Sequence, residues 1–455
     1  MRPGLVGIIV AGYCACLCSQ ANAAPDRDKP WAEVLGMPRS PALPAPQPSI
    51  RWRFDLGNAL REAQAENRPL FVTLRCLPCK QCSAFDKNVL EGGAELDPLL
   101  KQFVTVRLTD AQAVDLRLLP MEGFQDFDLS WWGWFLSPEG RIYGVFGGRD
   151  EVSDETRISV PALVNTLKRV LDHHYDPRRS AWDVDGPAPA LEGGAKTPKD
   201  LPGYASWRDR GGPEVKNATC IHCHQVGEIV RQPAVDSKMF DKHRDFDVWP
   251  LPENVGLTVD RDHGLLITKV APGSAADKAE IQPGDVLGAA GGRRLFSQAD
   301  FRGVLHRGPR DAGTIEVHWL RDGAVKSGTL SVPDRWRNTV LDWRMSVSQG
   351  NIGGDPDWFF PLALNSQKRK ARGLPEGKMA VEPFMGPKPS GRAYDAGLRG
   401  SDVITAVDGE SPDVAGRAFL VWFRMRHEPG DEVTLTVKDA QGRDRKVTYR
   451  LGGKG

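Results

Sequence analysis

The sequence predicts a multidomain protein in which an α/β domain is followed by a short segment carrying cysteine and histidine, and then by two mostly-β domains. Three observations lead to this fold class. A Cys-x-x-Cys string stands between an apolar run and a helical run, a Cys-x-x-Cys-His string follows a linker, and a repeat with an offset of 117 residues occupies the C-terminal part. A chain of 455 residues has room for three or four domains of ordinary size.

Residues 1–23 have the pattern of an export signal. Arg2 precedes an apolar run at residues 5–17, and the string Ala-Asn-Ala that ends at Ala23 forms a small-residue cleavage site. The run is too short to span a bilayer and no later stretch approaches that length, so we expect no transmembrane segment in the mature chain. The cysteines of the run lack a lipobox. We therefore expect an exported protein, periplasmic or extracytoplasmic, without a lipid anchor.

Residues 75–82 read RCLPCKQC and carry the first chemical motif of the mature chain. The apolar run before them, residues 69–74, has the composition of a short buried strand, and the residues behind them have helical spacing. This arrangement puts Cys76 at the amino end of a helix, where unpaired N–H groups favour its thiolate. Cys79 can then resolve a mixed disulfide formed by Cys76.

The string CLPCK and the strand before it make residues 50–178 resemble a thioredoxin-fold domain. The resemblance implies that Cys76 is the attacking thiol and Cys79 the resolving thiol. The sequence departs from the family because its strand before the motif has no acidic side chain, because Trp131 stands where the family has a cis-proline, and because Cys82 is an additional thiol. Apolar side chains at helical spacing predict the last helix of this domain at residues 160–174.

The additional thiol leaves two other interpretations open. Cys76, Cys79 and Cys82 are spaced three apart, so on a helix they share one face, and three thiolates on one face suit a soft metal ion. The other interpretation is a thioredoxin-fold domain that has lost its exchange activity.

A linker and a second cysteine motif follow this domain. The composition of residues 185–203 changes to glycine, proline, alanine and lysine, which predicts a linker. In the next segment, residues 204–250, the string CIHCH is the attachment signature of c-type haem. In a haem site, Cys220 and Cys223 would form thioethers to the porphyrin and His224 would bind the iron.

The second axial ligand of such a haem is open. Met239 is the nearest methionine downstream, and the other candidates are His243, His173 and His174. The motif also permits a disulfide between its two cysteines, or a small zinc site that uses His222 as well. Of the 8 cysteines only five lie beyond the export signal, in these two tight clusters, so the pattern favours redox or cofactor chemistry over disulfide stapling.

The internal repeat aligns residues 275–287, AADKAEIQPGDVL, with residues 392–404, RAYDAGLRGSDVI. The pattern is a short helix, a turn that ends in Gly-Asp or Ser-Asp, and a strand. It resembles PDZ domains, and we place the two copies at residues 251–333 and 360–452. The resemblance implies that an extended peptide adds to a sheet edge and that a backbone loop captures its terminal carboxylate.

The loop expected to hold the peptide is present in the first copy as Val255, Gly256 and Leu257, preceded by Asn254. The glycine permits the backbone turn that would point amides at a carboxylate. The second copy offers residues 361–364, which lack glycine, and is expected to have a structural or docking role. Its basic insert at residues 367–372 is expected to be a solvated loop, and the tryptophans near the copies, Trp336, Trp343 and Trp358, to be packing residues.

The whole assembly resembles a group of exported bacterial thioredoxin/PDZ proteins. The resemblance implies an extracytoplasmic thiol–disulfide protein whose PDZ-like modules bind partner or client chains. The alternatives are a c-type haem electron-transfer protein with a vestigial redox domain, and a non-catalytic binding scaffold or metal carrier. The 60 basic and 59 acidic side chains give no reason to expect nucleic acid as a partner, and no G-x-S-x-G or H-E-x-x-H string marks a protease.

Overall fold

The computed structural model describes residues 29–36, 43–45, 47, 49–74, 90, 93–129, 131–148, 159–210, 216, 220–338, 341–348, 353–356 and 359–452. The predicted export signal and the thiols Cys76, Cys79 and Cys82 lie outside these residues, as does Trp358.

The α/β domain is built on a four-stranded sheet with strand order β2-β1-β3-β4. The strands are β1 (Leu70–Leu74), β2 (Val104–Leu108), β3 (Trp131–Leu136) and β4 (Ile142–Gly148). The helices up to the linker are α1 (Trp31–Leu35), α2 (Leu56–Glu66), α3 (Asp97–Leu100), α4 (Val160–Tyr175) and α5 (Arg179–Trp182). All five side chains of β1 are buried, as its apolar composition predicts.

Helix α4 is the helix that periodicity predicts at the end of this domain. The Ser159 hydroxyl accepts a hydrogen bond from the Ala162 N–H at 3.2 Å, which satisfies one of the unpaired donors of the first turn. Leu163 and Leu167 of the helix lie in one core cluster with Phe71 of β1. The helix therefore covers one face of the sheet.

The directions of the strands show which strand ends lie together at one end of the sheet. β1 is parallel to β2 and antiparallel to β3, so β1 and β2 finish at the end of the sheet where β3 starts. We call this the carboxyl end of the sheet. In the sequence, Cys76 is the second residue after β1.

The segment between the linker and the β domains, residues 204–250, is helical. It contains α6 (Tyr204–Arg210), α7 (Cys223–Asp236) and α8 (Lys242–Asp245). We call it the Cys–His segment. Its helix α7 packs on the α/β domain through Val226 and Ile229, and Lys242 of α8 donates to the carbonyl oxygens of Arg424 and His427 in the second β domain. The segment thus touches both ends of the chain.

The two β domains contain the same elements in the same order, as the internal repeat predicts. The first has β5 (Leu257–Val259), β6 (Ile267–Val270), α9 (Ala275–Lys278), β7 (Val286–Ala290), β8 (Arg293–Arg294), α10 (Gln298–Arg307), β9 (Gly313–Arg321) and β10 (Ala324–Val332). A connecting helix α11 (Met345–Ser348) follows.

The second β domain forms a five-stranded sheet with order β11-β12-β13-β14-β15. Its elements are β11 (Phe360–Ala363), α12 (Ser366–Ala371), β12 (Val381–Phe384), α13 (Arg392–Asp395), β13 (Val403–Val407), α14 (Gly416–Arg426), β14 (Glu432–Lys438) and β15 (Asp444–Arg450). Apart from β8 and α12, each element has a counterpart in the first β domain.

Two expectations about the second β domain are wrong. Residues 361–363, expected in a loop before the first strand, lie within strand β11. The basic insert is not a solvated loop but forms helix α12, because Asn365 caps it by accepting from the Lys368 N–H at 2.9 Å. Arg369 of this helix is buried and donates to the carbonyl oxygen of Lys378 at 2.8 Å.

A buried ionic network joins the α/β domain to the regions beyond the linker. Asp126 is 1% exposed and accepts from Arg302 of α10 at 3.1 Å and from Arg344 at 2.8 Å. Asp128 accepts from the Ser346 N–H at 2.7 Å and from the Ser346 hydroxyl at 2.8 Å. The two arginines hold the pKa of the Asp126 carboxyl below its usual range although burial opposes them. This network fixes α10 and α11 on the α/β domain.

The packing role expected for the tryptophans is confirmed for two of them. Trp336 and Trp343 are 6% and 5% exposed, and each lies in a core cluster.

Candidate functional site

The carboxyl end of the sheet is formed by the last residues of β1 and β2 and by the start of β3. Trp131, at the position of the family's cis-proline, is the first residue of β3 and is 1% exposed. Its ring lies 6.2 Å from that of Phe71, so the side chain fills the core beneath this end of the sheet. Thr73 is the polar residue of β1, and its hydroxyl donates to the Val106 carbonyl at 3.3 Å.

The Cys-x-x-Cys-His motif stands at the start of helix α7. Cys223 is the first residue of the helix and His222 is its N-cap. The His222 N–H donates to the side-chain oxygen of Gln225 at 2.8 Å, which anchors the turn before the helix. Cys220 and Cys223 are both half-buried, and the Cys220 thiol is free.

This motif packs against the carboxyl end of the sheet. Ile221 of the motif lies in one apolar cluster with Ala111, which belongs to the short 3-10 helix directly after β2. Cys223 packs against the large core cluster to which strands β1, β2 and β3 all contribute. The sequence separates the two cysteine motifs by more than 130 residues, and the fold brings Ile221 of the second motif to the end of the sheet where β2 finishes.

The charges around the motif agree with this placement. Burial and the neighbouring His224 lower the pKa of His222, and the nearby Asp110, which follows β2, opposes the change. The rings of His222 and His224 are stacked with their centroids 5.7 Å apart. The lowered pKa favours the neutral form of the His222 imidazole.

The side chain of Glu228 contacts His224 and is itself fixed by a hydrogen bond from Trp207. Its Nδ1 lies 3.3 Å from Glu228 Oε1, one helical turn along α7, and Glu228 Oε2 accepts from the Trp207 indole N–H at 2.9 Å. A carboxylate on one ring nitrogen orients an imidazole and leaves its Nε2 for a metal. The carboxylate of Glu228 therefore orients the His224 imidazole beside the two cysteines of the motif.

Met239 is separated from this site. Its N–H donates to the Ala234 carbonyl at 2.8 Å, ten residues along the helix from His224, which corresponds to a distance of about 15 Å along the axis. The Met239 side chain is 69% exposed. Two axial ligands must contact one iron, so in this arrangement Met239 does not complete the coordination begun by His224.

The predicted peptide loop of the first β domain is described in full. Val255 ends a 3-10 turn, Gly256 has a φ of +88°, and Leu257 begins β5. A Cβ on Gly256 would lie 2.1 Å from Ser274 Cβ, so both the backbone conformation and the close approach require glycine. The Gly256 N–H donates to the Glu253 carbonyl at 3.0 Å within the loop.

Sequence reasoning did not predict how this loop contacts the segment that follows strand β10. Asn254 is part of the quoted loop, but its amide donates to the carbonyl oxygens of Trp336 and Asn338, both at 3.1 Å. Arg337, between them, is 5% exposed. The signal that was available was the neighbourhood of Arg337 and Trp336 just after the last strand of the domain. The contact between Asn254 and Asn338 joins residues that are 84 positions apart in the chain, so no local sequence pattern marks it.

The described residues offer neither a metal site nor a membrane span. There, no three His, Cys, Asp or Glu side chains converge on a position that would hold a metal ion. Every helix in those ranges is too short or too polar to serve as a membrane span. The predicted metal ligands Cys76, Cys79 and Cys82 fall outside them.

Comparisons with known proteins agree with part of this architecture. A family model described as thioredoxin-like matches residues 51–122. The probable periplasmic serine endoprotease DegP-like of Ectopseudomonas mendocina (strain ymp) is 27% identical over 206 residues, which cover 44% of this chain and 40% of that protein. The chain thus spans about two fifths of the length of this curated relative.

Two solved structures also match in part. The HtrA-type protease AlgWS227A with decapeptide is 20% identical, with a TM-score of 0.19, over 30% of this chain and 40% of that chain. The HtrA-type protease AlgW with decapeptide is 22% identical, with the same TM-score of 0.19, over 29% and 39%. Likenesses at this TM-score carry no argument about the architecture. The chain is a multidomain protein with a thioredoxin-like domain at residues 51–122 and with similarity to DegP-like proteases.

Proposed function

We propose that the protein is an exported thiol–disulfide protein with Cys76 as the attacking thiol and Cys79 as the resolving thiol. The thiolate of Cys76 attacks one sulfur of a client disulfide, and the other client sulfur leaves as a thiol. Cys79 then attacks the Cys76 sulfur, which releases the reduced client and leaves a disulfide between Cys76 and Cys79. One protein dithiol is oxidised for each client disulfide that is reduced.

The observation that carries this proposal is the position of the second cysteine motif. Only Arg75 separates Leu74 from Cys76, and two residues of chain reach at most about 7 Å. The proposal therefore places the Cys76 thiol at the carboxyl end of the sheet, near which the second motif packs through Ile221 and Ala111. A dithiol of Cys220 and Cys223 can then reduce the Cys76–Cys79 disulfide by a second exchange and become a disulfide itself.

The location and the client contact belong to the same proposal. The export signal of residues 1–23 and the word periplasmic in the name of the DegP-like relative support an extracytoplasmic protein. The two β domains serve as PDZ-like modules, and Val255, Gly256 and Leu257 of the first contact the chain end of a client. Binding there raises the local concentration of client disulfides near Cys76.

Reduction of a protein disulfide tests the exchange function. With insulin as the substrate and dithiothreitol as the electron source, the Cys76→Ser variant should lose the acceleration that the intact protein gives. Cys82→Ser is the matched control, since it removes a thiol of the same motif that the exchange does not use. Equal loss in both variants would show that the three thiols act as a unit, as in a metal site, and would reject this function.

A second candidate function is electron transfer through a covalently attached haem, and the contact between His224 and Glu228 favours it. Cys220 and Cys223 would attach the haem, His224 would bind its iron and Glu228 would orient the imidazole. When bound, the haem would supply a one-electron couple. Mass spectrometry of the exported protein after denaturation and alkylation separates the two functions. Alkylation of Cys220 and Cys223 shows that both are free thiols, as the thiol relay requires. A peptide that carries haem on these cysteines shows that they are not.

A further inference from the structure

Helix α4 carries two adjacent histidines in its last turn, and the first of them joins three parts of the chain. His173 is 1% exposed. Its Nε2 lies 2.7 Å from Oδ1 of Asp185, the first residue of the predicted linker, and its Nδ1 lies 3.0 Å from Nη1 of Arg294 in strand β8 of the first β domain. Both ring nitrogens are occupied, so His173 does not bind a haem iron in this arrangement. It ties α4 to the linker and to the first β domain instead.

These two contacts determine the protonation state of the His173 ring. An arginine guanidinium only donates hydrogen bonds, and an ionised carboxylate only accepts them. Nε2 therefore carries the proton and donates to Asp185, and the unprotonated Nδ1 accepts from Arg294. A second proton at Nδ1 would set a donor against a donor and a positive ring against a positive guanidinium. Burial lowers the pKa of His173 to about 4, the bond to Asp185 opposes the change, and Arg294 adds to it.

Two guanidiniums already lie around the one carboxylate that contacts His173. Arg179 donates to Asp185 Oδ2 at 3.3 Å and to the Tyr143 hydroxyl, so His173 shares this carboxylate with a cation. The charged and titratable groups around His173 and its partners are Asp172 and Asp176 on α4, Tyr143 on β4, Arg179 on α5, Asp185 in the linker and Arg294 on β8. A protonated His173 would add a third cation beside Arg179 and Arg294.

Arg294 stands next to the contacts that hold the first β domain on the edge of the sheet in the α/β domain. Ser297, three residues further along the chain, donates its hydroxyl to the Val145 carbonyl at 2.5 Å, and the Val145 N–H donates to Asp300 Oδ1 at 2.7 Å. Val145 belongs to β4, the edge strand of this sheet. A displacement of Arg294 therefore acts on the residues that cover β4.

We propose that His173, Asp185 and Arg294 form an acid-operated latch, in which a proton added to His173 Nδ1 displaces the Arg294 guanidinium and uncovers the edge of β4. In the open form the ring takes up this proton at the ordinary pKa near 6.5, and in the closed form only near 4. The latch is therefore closed above pH 6.5, and opening becomes more favourable as the pH falls below that value. For this one group, the opening constant rises about 25-fold between pH 7.5 and pH 5. The latch goes beyond thiol exchange and uses no cysteine.

Hydrogen exchange at the Val145 amide of the full chain measures the opening, because this N–H is covered by its bond to Asp300. Mass spectrometry with electron-transfer fragmentation of the β4 peptide resolves this amide. The exchange rates at pH 7.5 and pH 5 are each divided by the rate of an unprotected amide at the same pH. The ratio gives the opening constant at each pH.

The decisive comparison is between the parent protein and His173→Gln. The glutamine amide keeps a donor for Asp185 and an acceptor for Arg294, but it does not titrate. A comparison is needed because burial raises the pKa of Asp300 to about 6, which makes acid favour the closed form through that group. Between pH 7.5 and pH 5, the opening constant should rise about 25-fold more in the parent than in His173→Gln. An equal pH dependence in the two proteins overturns the latch.

The adjacent histidine supplies a matched control. His174 is 5% exposed, and burial lowers its pKa to about 4 as well. Its Nδ1 lies 2.8 Å from the Tyr143 hydroxyl and its Nε2 lies 3.1 Å from the Asn67 carbonyl oxygen, so both contacts stay within the α/β domain. His174→Gln should therefore leave the pH dependence at Val145 as it is in the parent. A change as large as that in His173→Gln would show that acid acts on the α/β domain as a whole, and would reject the latch.

A second variant keeps the test decisive if His173→Gln does not fold. Arg294→Met retains an unbranched side chain over the Phe296 ring, on which the guanidinium now lies with 5.3 Å between Cζ and the ring centroid. It removes the donor that accounts for the closed latch, so exchange at Val145 should already be roughly tenfold faster than in the parent at pH 7.5. Circular dichroism verifies that the variant is folded. Exchange at the parent rate in folded Arg294→Met would also contradict the latch.

Discussion

The two β domains have the same order of elements but are used differently. In the first, helix α10 is buried from Ala299 to Leu305 because it packs between its own domain and strand β4 of the α/β domain. In the second, the first strand is a sheet edge with Phe360 and Leu362 48% and 40% exposed, and Phe384 beside them is 60% exposed. The first copy is enclosed by the α/β domain, and we call its contact through helix α10 the bracket. The second copy presents an apolar surface at strand β11.

Helix α10 of the first β domain also covers the edge of the sheet in the α/β domain. β4 is an edge strand, and an unpaired edge invites pairing with other chains. The Val145 N–H donates to Asp300 Oδ1 at 2.7 Å, and the Val145 carbonyl accepts from the Ser297 hydroxyl at 2.5 Å. The amino end of α10 therefore satisfies the free edge of β4. In the second β domain, Pro361 removes one N–H donor from the exposed strand β11, which limits pairing there by a different route.

The largest difference between the copies should appear when the buried network is broken. Asp126→Asn leaves Arg302 buried without its carboxylate and Arg344 with Asp128 alone, and we expect the free energy of unfolding to fall by about 3–5 kcal/mol. Urea unfolding measures it. The matched change in the second copy, Glu382→Gln, breaks the more exposed pair with Lys368 and should lose at most about 1 kcal/mol. Similar losses would contradict the distinction between bracket and surface.

Acid should weaken the bracket next. Burial lowers the pKa of His306 to about 3, below its unfolded value near 6.5. Below pH 6.5 the unfolded chain binds a proton that the folded chain refuses, so stability falls as the pH falls. Between pH 6.5 and 5 the loss is about 2 kcal/mol for this group, and His306→Phe should flatten the pH profile of the unfolding free energy by that amount. His243→Phe, at an exposed site, is the control; an equal flattening there would refute the assignment.

Removing space at the junction should have a moderate effect. A Cβ added at Gly144 of β4 would lie 2.7 Å from Asp300 Oδ2, so Gly144→Ala must push α10 away from the edge strand. We expect a loss of about 1–3 kcal/mol in unfolding free energy. Gly400→Ala in the second copy meets its nearest atom, the Pro383 carbonyl oxygen, at 3.6 Å and should be within about 0.5 kcal/mol of the parent. An unchanged unfolding free energy in Gly144→Ala would show that β4 and α10 are not closely packed.

The smallest effect is expected on the exposed strand. Phe360→Ser should change the unfolding free energy by less than about 0.5 kcal/mol, because half of the ring is already in water. Thermal unfolding of the variant beside Phe301→Ala, whose ring is fully buried in α10, supplies the contrast of about 3–5 kcal/mol. A large loss from Phe360→Ser would mean that its ring supports the core after all.

Local patterns predicted the local structure well. The apolar run before Cys76 is strand β1, the spacing after Ser159 is helix α4, and the repeat appears as two domains with one order of elements. What the patterns did not predict is long-range. Asp126 and Arg344 meet across 218 residues. Met239 lies near His224 in the sequence, but its backbone is bonded to Ala234, which is about 15 Å from His224 along the helix axis. Sequence spacing predicts which residues are neighbours within one helix or strand. The contact of Asp126 with Arg344 and the separation of Met239 from His224 depend instead on how these elements pack.

The most direct test of the central claim is a disulfide between the two cysteine motifs. In a variant with Cys79→Ser and Cys220→Ser, Cys76 and Cys223 lack their partners within each motif, and mild oxidation followed by proteolysis and mass spectrometry identifies the bond that forms. The account predicts a Cys76–Cys223 disulfide within one chain, absent when Cys223 is also replaced by serine. A Cys223 peptide that carries haem, or oxidation that joins Cys76 only to Cys82 or to another molecule, would contradict it.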